Sequence, residues 1–134
     1  MIKGCLIGIC GLITLNTTTA YAEDMEMDFI KNEVEISFQQ YKDGSIESGI
    51  YALESLARLL NQAESSSVRA ELGPNILAFT YIRIGLLHEK LGNSLTAEPF
   101  FAAAQQNLSK EFSAEKVTVN ELKSMVKQLD EMSI

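Results

Sequence analysis

The amino-acid sequence predicts an all-α protein, built from two antiparallel helical hairpins and a C-terminal capping helix in a short solenoid or bundle. Apolar residues recur at steps of three and four over most of the chain, which is the spacing of a helix with one buried face. No stretch alternates apolar and polar residues between turn residues, as a half-buried strand would. Glycine stands at the short breaks between the helical runs, where it ends one helix before the next begins.

The N-terminus is expected to be a cleavable signal peptide. Lys3 gives a positively charged start, residues 4–15 are apolar, and residues 20–22 match the A-x-A pattern of a cleavage site. The apolar run is shorter than the roughly 20 residues that span a bilayer as a helix. The sequence therefore predicts a signal peptide over residues 1–22 and a single helical domain over residues 23–134. A short membrane anchor or a buried first helix is the alternative.

Export would leave a domain without cysteine chemistry. Cleavage after Ala22 removes Cys5 and Cys10, the two cysteines of the chain, so the apolar core alone must hold the fold. We expect the domain to reside in the periplasm of a bacterium, without a stable membrane anchor. The formal net charge of −7 disfavours nucleic acid and anionic lipid surfaces as partners, and it permits a basic protein partner.

The first hairpin is predicted from two amphipathic runs on either side of Asp43-Gly44-Ser45, which end one helix and cap the next. Both runs carry an apolar stripe at helical spacing. The stripes consist of Met27, Ile30, Val34, Phe38 and Tyr41, and of Ile46, Ile50, Leu53, Leu56, Ala57 and Leu60. A serine-rich connection follows and ends at Gly73-Pro74, where the next helix starts.

The second hairpin is predicted over residues 75–108. Residues 75–91 are dense in apolar side chains, and residues 92–94 break the pattern before a second helical run. Gly92 supplies the backbone freedom that the turn needs. A connection this short makes the two helices pack antiparallel.

A closing helix is predicted at the C-terminus. Thr118 and Glu121 have the spacing of a capping box, in which each side chain satisfies a backbone N–H at the helix start. The apolar stripe expected to face the fold consists of Val119, Leu122, Met125, Val126, Leu129 and Met132. The charged residues of this helix, Lys123 and Asp130 included, are expected to cover the solvent side, as a helix that ends a short stack requires.

Small and aromatic residues recur at fixed intervals in the second hairpin. They are Tyr81, Ile84, Gly85, His88, Gly92, Ala97, Phe101 and Ala104. This spacing resembles the tetratricopeptide repeat (TPR), a helical hairpin of about 34 residues with small residues where its helices cross. The departures are Tyr81 for the usual tryptophan, His88 for the second aromatic residue, and Ser109 for the closing proline. The resemblance implies one repeat at about 78–109 and leaves open a degenerate one at about 30–62; an ordinary helical hairpin is the alternative.

The helix predicted over residues 75–91 carries further apolar residues on its opposite face, with two charged residues at the end of that face. The set is Phe79, Ile82, Leu86, Glu89 and Lys90. In TPR proteins the matching face lines the concave groove that holds peptides or partner proteins, and it is usually polar. An apolar groove predicts that a protein partner binds there. The alternative is that this helix is apolar on all sides because it is the centre of a bundle, with the first or last helix lying across it.

No catalytic constellation is visible. The chain has one histidine, His88, which is expected to fill the seam between two helices. The H-E-x-x-H, G-x-S-x-G and phosphate-binding glycine patterns do not occur. The sequence therefore predicts no catalytic residues, no cofactor and no metal, and it leaves open a hydrolase that uses carboxylates alone.

These observations favour an exported, non-enzymatic protein-interaction module, a scaffold or adaptor with a TPR-like groove. The second hypothesis is an immunity or inhibitor protein that binds and neutralises a toxic or lytic enzyme in the same compartment. The acidic run at residues 23–35 suits this second hypothesis, because a basic enzyme cleft would attract it.

Overall fold

The structure, a computed structural model, describes residues 26–63, 66–114 and 116–133. The signal peptide predicted at residues 1–22 lies outside these residues. Within the described part of the chain the protein is all-α, and no strand occurs there. The predicted fold class is therefore confirmed.

The chain divides into two compact units, Met1–Asn32 and Glu33–Ile134. In the first unit the described residues, 26–32, are helical. The helices of the described chain are α1 at residues 26–43, α2 at Ile46–Gln62, α3 at Ser66–Leu72, α4 at Ile76–Lys90, α5 at Ser94–Gln106, α6 at Lys110–Ala114 and α7 at Val119–Met132. The predicted hairpins are α1–α2 and α4–α5, and α7 is the predicted closing helix.

Hydrogen bonds between α1 and α2 define the first hairpin. Ser37 Oγ donates to the carbonyl oxygen of Ala52 at 3.3 Å. Nearer the turn, Ser48 Oγ donates to Gln40 Oε1 at 3.4 Å. Because later residues of α1 meet earlier residues of α2, the two helices run antiparallel.

Side-chain caps fix the starts of α2 and α7. Ser45 precedes α2, and its hydroxyl accepts from the backbone N–H of Ser48 at 3.1 Å. Thr118 precedes α7, and its hydroxyl accepts from Glu121 N at 3.2 Å while the Glu121 carboxylate accepts from Thr118 N at 2.8 Å. The predicted capping box is therefore confirmed, and both helices start where the sequence places their caps.

Gly92 ends α4 with a positive backbone angle. Its φ is 79°, a conformation that glycine adopts without the penalty of a side chain. In this conformation the N–H of Asn93 donates to the carbonyl oxygen of His88 at 2.9 Å, and the N–H of Gly92 donates to the carbonyl oxygen of Glu89 at 2.9 Å. These bonds satisfy carbonyl groups that the helix end would leave open, and they turn the chain into α5.

The central element is α4, which packs against α2, α5 and α7. Its buried residues lie on every side of the helix: Leu77, Ala78, Thr80, Ile82, Ile84, Gly85, Leu86 and Leu87. The close approach to α5 depends on Gly85, since a Cβ at this position would overlap the ring of Phe101. A helix that three others enclose shows little of its surface to solvent, which explains why most of α4 is apolar.

Candidate partner-binding groove

The face of α4 that the sequence predicts as a partner groove is covered by α7. Ile82 is fully buried and Leu86 is 6% exposed. Both belong to one apolar cluster with Leu122 and Val126 of α7, and Phe79 packs at its edge, partly buried. The last helix of the chain therefore occupies the position that a partner would take, and we call this α4 surface with Glu89 and Lys90 the groove face.

Helix α7 runs antiparallel along α4, since Arg83 pairs with Asp130 and the later Glu89 pairs with the earlier Lys123. In its first half, Lys123 Nζ stands 4.4 Å from the ring centroid of Phe101 on α5. In its second half, the hydroxyl of Tyr41 on α1 donates to Asp130 Oδ2 at 2.7 Å. The helix thus reaches from α5 to α1 and bridges both hairpins over the groove face.

Where the second half of α7 meets α4, a polar network joins α1, α4 and α7. Arg83 of α4 donates from Nε and Nη2 to Asp130 Oδ1, at 3.0 and 2.8 Å. Its guanidinium carbon lies 5.1 Å from the ring centroid of Phe38 and 5.9 Å from that of Tyr41. The Arg83 and Asp130 side chains are each only 14% exposed, so their attraction is weakly screened by water.

Tyr41 is held as a neutral donor in this network. Burial, and then the hydrogen bond to Asp130 and its negative charge, raise the pKa of Tyr41 above its ordinary value, against the opposing charge of Arg83. The phenol therefore keeps its proton and its bond to Asp130 at neutral pH.

A second ion pair lies where the first half of α7 meets the end of α4. Lys123 Nζ of α7 lies against Glu89 Oε1, and the two side chains are 20% and 36% exposed. Lys90 is exposed, at an open depression that Tyr41 and Asp130 also line. Of the predicted groove residues, four are engaged by the cluster or by the ion pair with α7, and Lys90 remains at the margin.

The structure corrects the predicted orientation of α7. Lys123 and Asp130 were expected on the solvent side, but both side chains contact α4. Only part of the predicted apolar stripe is buried. Leu122 and Val126 are buried, whereas Leu129 is 37% exposed and Met132 is 74% exposed. The physical reason is that the polar contacts with Arg83 and Glu89 turn the end of the stripe away from the core.

Sequence reasoning did not identify Arg83, although a signal was present. Arg83 is the one charged residue between Phe79 and Leu87. A long charged side chain within an apolar helix needs a partner when the helix is buried. That argument predicts a carboxylate nearby, but it does not identify Asp130.

The seam predicted on the other face lies between α4 and α5, with α2 alongside. It is not separate from the groove face, because Ala97, Phe101 and Ala104 belong to the same apolar cluster as Ile82 and Leu86. His88 stacks on Phe100 with 5.4 Å between ring centroids, and Tyr81 meets the same ring at 6.4 Å. The remaining seam residues are buried: Ile84, Gly85, Ala97, Phe101 and Ala104. Both ring nitrogens of His88 lack a hydrogen bond, and Nε2 stands 4.0 Å from Glu54 Oε1. The ring therefore fills the seam by stacking.

The described residues contain no cluster of three or more His, Cys, Asp or Glu side chains that could hold a metal ion. Among the helices that the structure describes, none is both long and apolar enough to cross a membrane. Comparisons with protein-family models, with curated proteins and with solved structures find no match.

Proposed function

We propose that this chain is an exported, non-enzymatic protein-interaction module of the bacterial periplasm, a small adaptor built as a short TPR-like stack. In this proposal the groove face of α4 receives the partner. One observation carries the proposal. The apolar face at the centre of the fold is covered by a single helix, α7, which buries only two of its own residues, Leu122 and Val126.

The order of packing supports the TPR-like part of the proposal. Each hairpin is closed by a short turn, and α4 packs on both α2 of the first hairpin and α5 of its own. Gly85 allows the close contact with Phe101 that the small residue of a TPR repeat serves. The groove face lies on the side of α4 where α7 packs.

The attachment of α7 rests on two buried side chains, one partly exposed ion pair, and the contacts of Asp130 with Arg83 and Tyr41. Burial of Leu122 and Val126 stabilises the contact by roughly 1.5–3 kcal/mol for each side chain. The partly exposed pair of Lys123 and Glu89 adds about 0–1 kcal/mol. Because α7 is the last helix of the described chain and buries only these two side chains, it is expected to open locally before the hairpins unfold.

Photo-crosslinking in living cells tests this proposal. A photoreactive amino acid replaces Lys90, which is exposed at the edge of the groove face, and the matched control replaces Tyr51, 72% exposed on α2. We expect Lys90 to capture a discrete periplasmic protein that Tyr51 does not capture. The proposal fails if Lys90 captures nothing or if both positions capture the same set of proteins.

The second candidate is an inhibitor that neutralises a toxic or lytic enzyme. It is favoured by the carboxylates Glu26 and Asp28, which are exposed on α1, and by the net charge of −7. A basic enzyme cleft would bind such a surface through charge complementarity. If the captured partner is a hydrolase that the chain inhibits in a salt-dependent manner, this candidate replaces the adaptor; a non-enzymatic envelope subunit supports the adaptor.

A further inference from the structure

We propose that the partner presents an amphipathic α-helix with the same contact pattern as α7, and that it binds by displacing α7 from the groove face. The pattern is two apolar residues one turn apart, as at Leu122 and Val126, followed by a carboxylate one further turn on, as at Asp130. This inference rests on the proposed function and specifies its partner.

The polar end of the groove face sets the requirement for a carboxylate. Arg83 is held between α4 and the rings of Phe38 and Tyr41, which belong to the fold and not to α7. When α7 leaves, the guanidinium of Arg83 and the hydroxyl of Tyr41 lose their shared acceptor. A helix without an acidic residue at this place would leave both donors unpaired, and an unpaired donor in a shielded site weakens binding.

The apolar end sets the requirement for a helix. Ile82 and Leu86 stand one turn apart on α4, and they meet Leu122 and Val126, which have the same spacing on α7. The occupant of this face in the structure is itself a helix, and any helix with apolar residues four apart reproduces its spacing. The groove face therefore fits a helix that packs along α4 as α7 does.

The observations favour a helix from another protein over α7 from a second copy of this chain. A second copy would offer the same contacts that the tethered α7 already makes. The tether gives the chain's own helix a high effective concentration, so exchange between copies gains no contact and loses this advantage. A foreign helix can gain contacts, because it can bury an apolar side chain at the position where Leu129 of α7 stays 37% exposed.

A binding assay with the α7 sequence as the probe tests this inference. The labelled peptide carries residues 117–133, and the receptor is the full chain, either unaltered or with Val126→Asp, which disfavours its own α7 in the groove. We expect the peptide to bind the Val126→Asp chain at least tenfold more tightly than the unaltered chain. A peptide with Asp130→Asn should bind that chain about tenfold more weakly, because Arg83 and Tyr41 lose the charge of their acceptor.

Three results would overturn the inference. The first is equal binding of the peptide to both chains, and the second is equal binding of both peptides. The third is a dimer of the unaltered chain in which α7 occupies the groove of the other copy, as size-exclusion chromatography and copy-specific labelling would reveal. If Val126→Asp abolishes the helical circular dichroism signal, Leu122→Ala takes its place, because it removes apolar contact without burying a charge.

The proposed function and this inference fail in different ways. If Lys90 captures a partner in cells and the α7 peptide does not compete with it, the chain is an interaction module that binds without displacing α7. If the α7 peptide binds but no cellular partner is captured, the groove face accepts a helix and the proposed adaptor function is wrong.

Discussion

Arg83 on α4 and Asp130 on α7 form a charged contact in which two guanidinium nitrogens, Nε and Nη2, donate to the same carboxylate oxygen at 3.0 and 2.8 Å. The other oxygen of Asp130 accepts from Tyr41 of α1 at 2.7 Å. One carboxylate on the last helix thus connects three helices. Its loss should affect the position of α7 more than the integrity of either hairpin.

Asp130→Asn should lower the free energy of unfolding by about 1–3 kcal/mol, because the charged partner of a largely buried arginine is replaced by a neutral one. Urea denaturation followed by circular dichroism measures the change. Glu131→Gln is the matched control, since this neighbouring carboxylate is exposed. Equal losses for the two variants would show that Asp130 contributes nothing specific.

Gly85→Ala should destabilise the protein by about 1–3 kcal/mol through overpacking, although alanine favours helix formation over glycine. The added methyl group meets the ring of Phe101, which is buried on α5. In the double variant with Phe101→Leu, Gly85→Ala should lose much less stability. Thermal unfolding of the four proteins gives the coupling, and an additive result would contradict the proposed contact.

Gly92→Ala should cost about 1–2 kcal/mol, because φ at this position is 79° and a Cβ is strained there. Gly92→Asn should cost less, since asparagine tolerates this region better than alanine. The comparison separates backbone strain from any loss of space, because no atom lies within 4 Å of a Cβ built at Gly92. Chemical denaturation of the two variants is sufficient, and equal costs would argue against strain.

Stability should depend on pH in the alkaline range through Tyr41. The folded state raises the pKa of this phenol, so its contribution is complete below the unfolded value of about 10 and is lost as pH rises beyond it. We therefore expect the unaltered chain to lose stability above about pH 10 faster than Tyr41→Phe. Unfolding midpoints between about pH 8 and 11 measure the two slopes, and parallel slopes would refute the role of Tyr41.

The local structure could be predicted from the sequence because its causes are local. Helical periodicity, the glycine at residue 92 and the capping box at Thr118 and Glu121 act over a few residues, and they placed both hairpins and the last helix. The short helix α6 at Lys110–Ala114 was not predicted, since five residues carry too little periodicity.

The docking of α7 could not be predicted, because it depends on contacts between residues far apart in the chain. The apolar stripe indicated that α7 has a buried face but not which surface receives it. Because the stripe ends in Leu129 and Met132, it also predicted that the end of α7 is buried, whereas both side chains are exposed in the structure. The deciding groups, Arg83 and Asp130, are 47 residues apart, and no local pattern pairs them.

Native-state hydrogen exchange of the unaltered chain tests the central claim, that α7 is a displaceable cover of the groove face. Local opening of α7 predicts that the amides of Val119–Met132 exchange at a lower opening free energy than the buried amides of α4 and α5, and with little dependence on denaturant. If the amides of α7 exchange only together with those of α4 and α5, by global unfolding, then α7 is a fixed part of the core and the account is wrong.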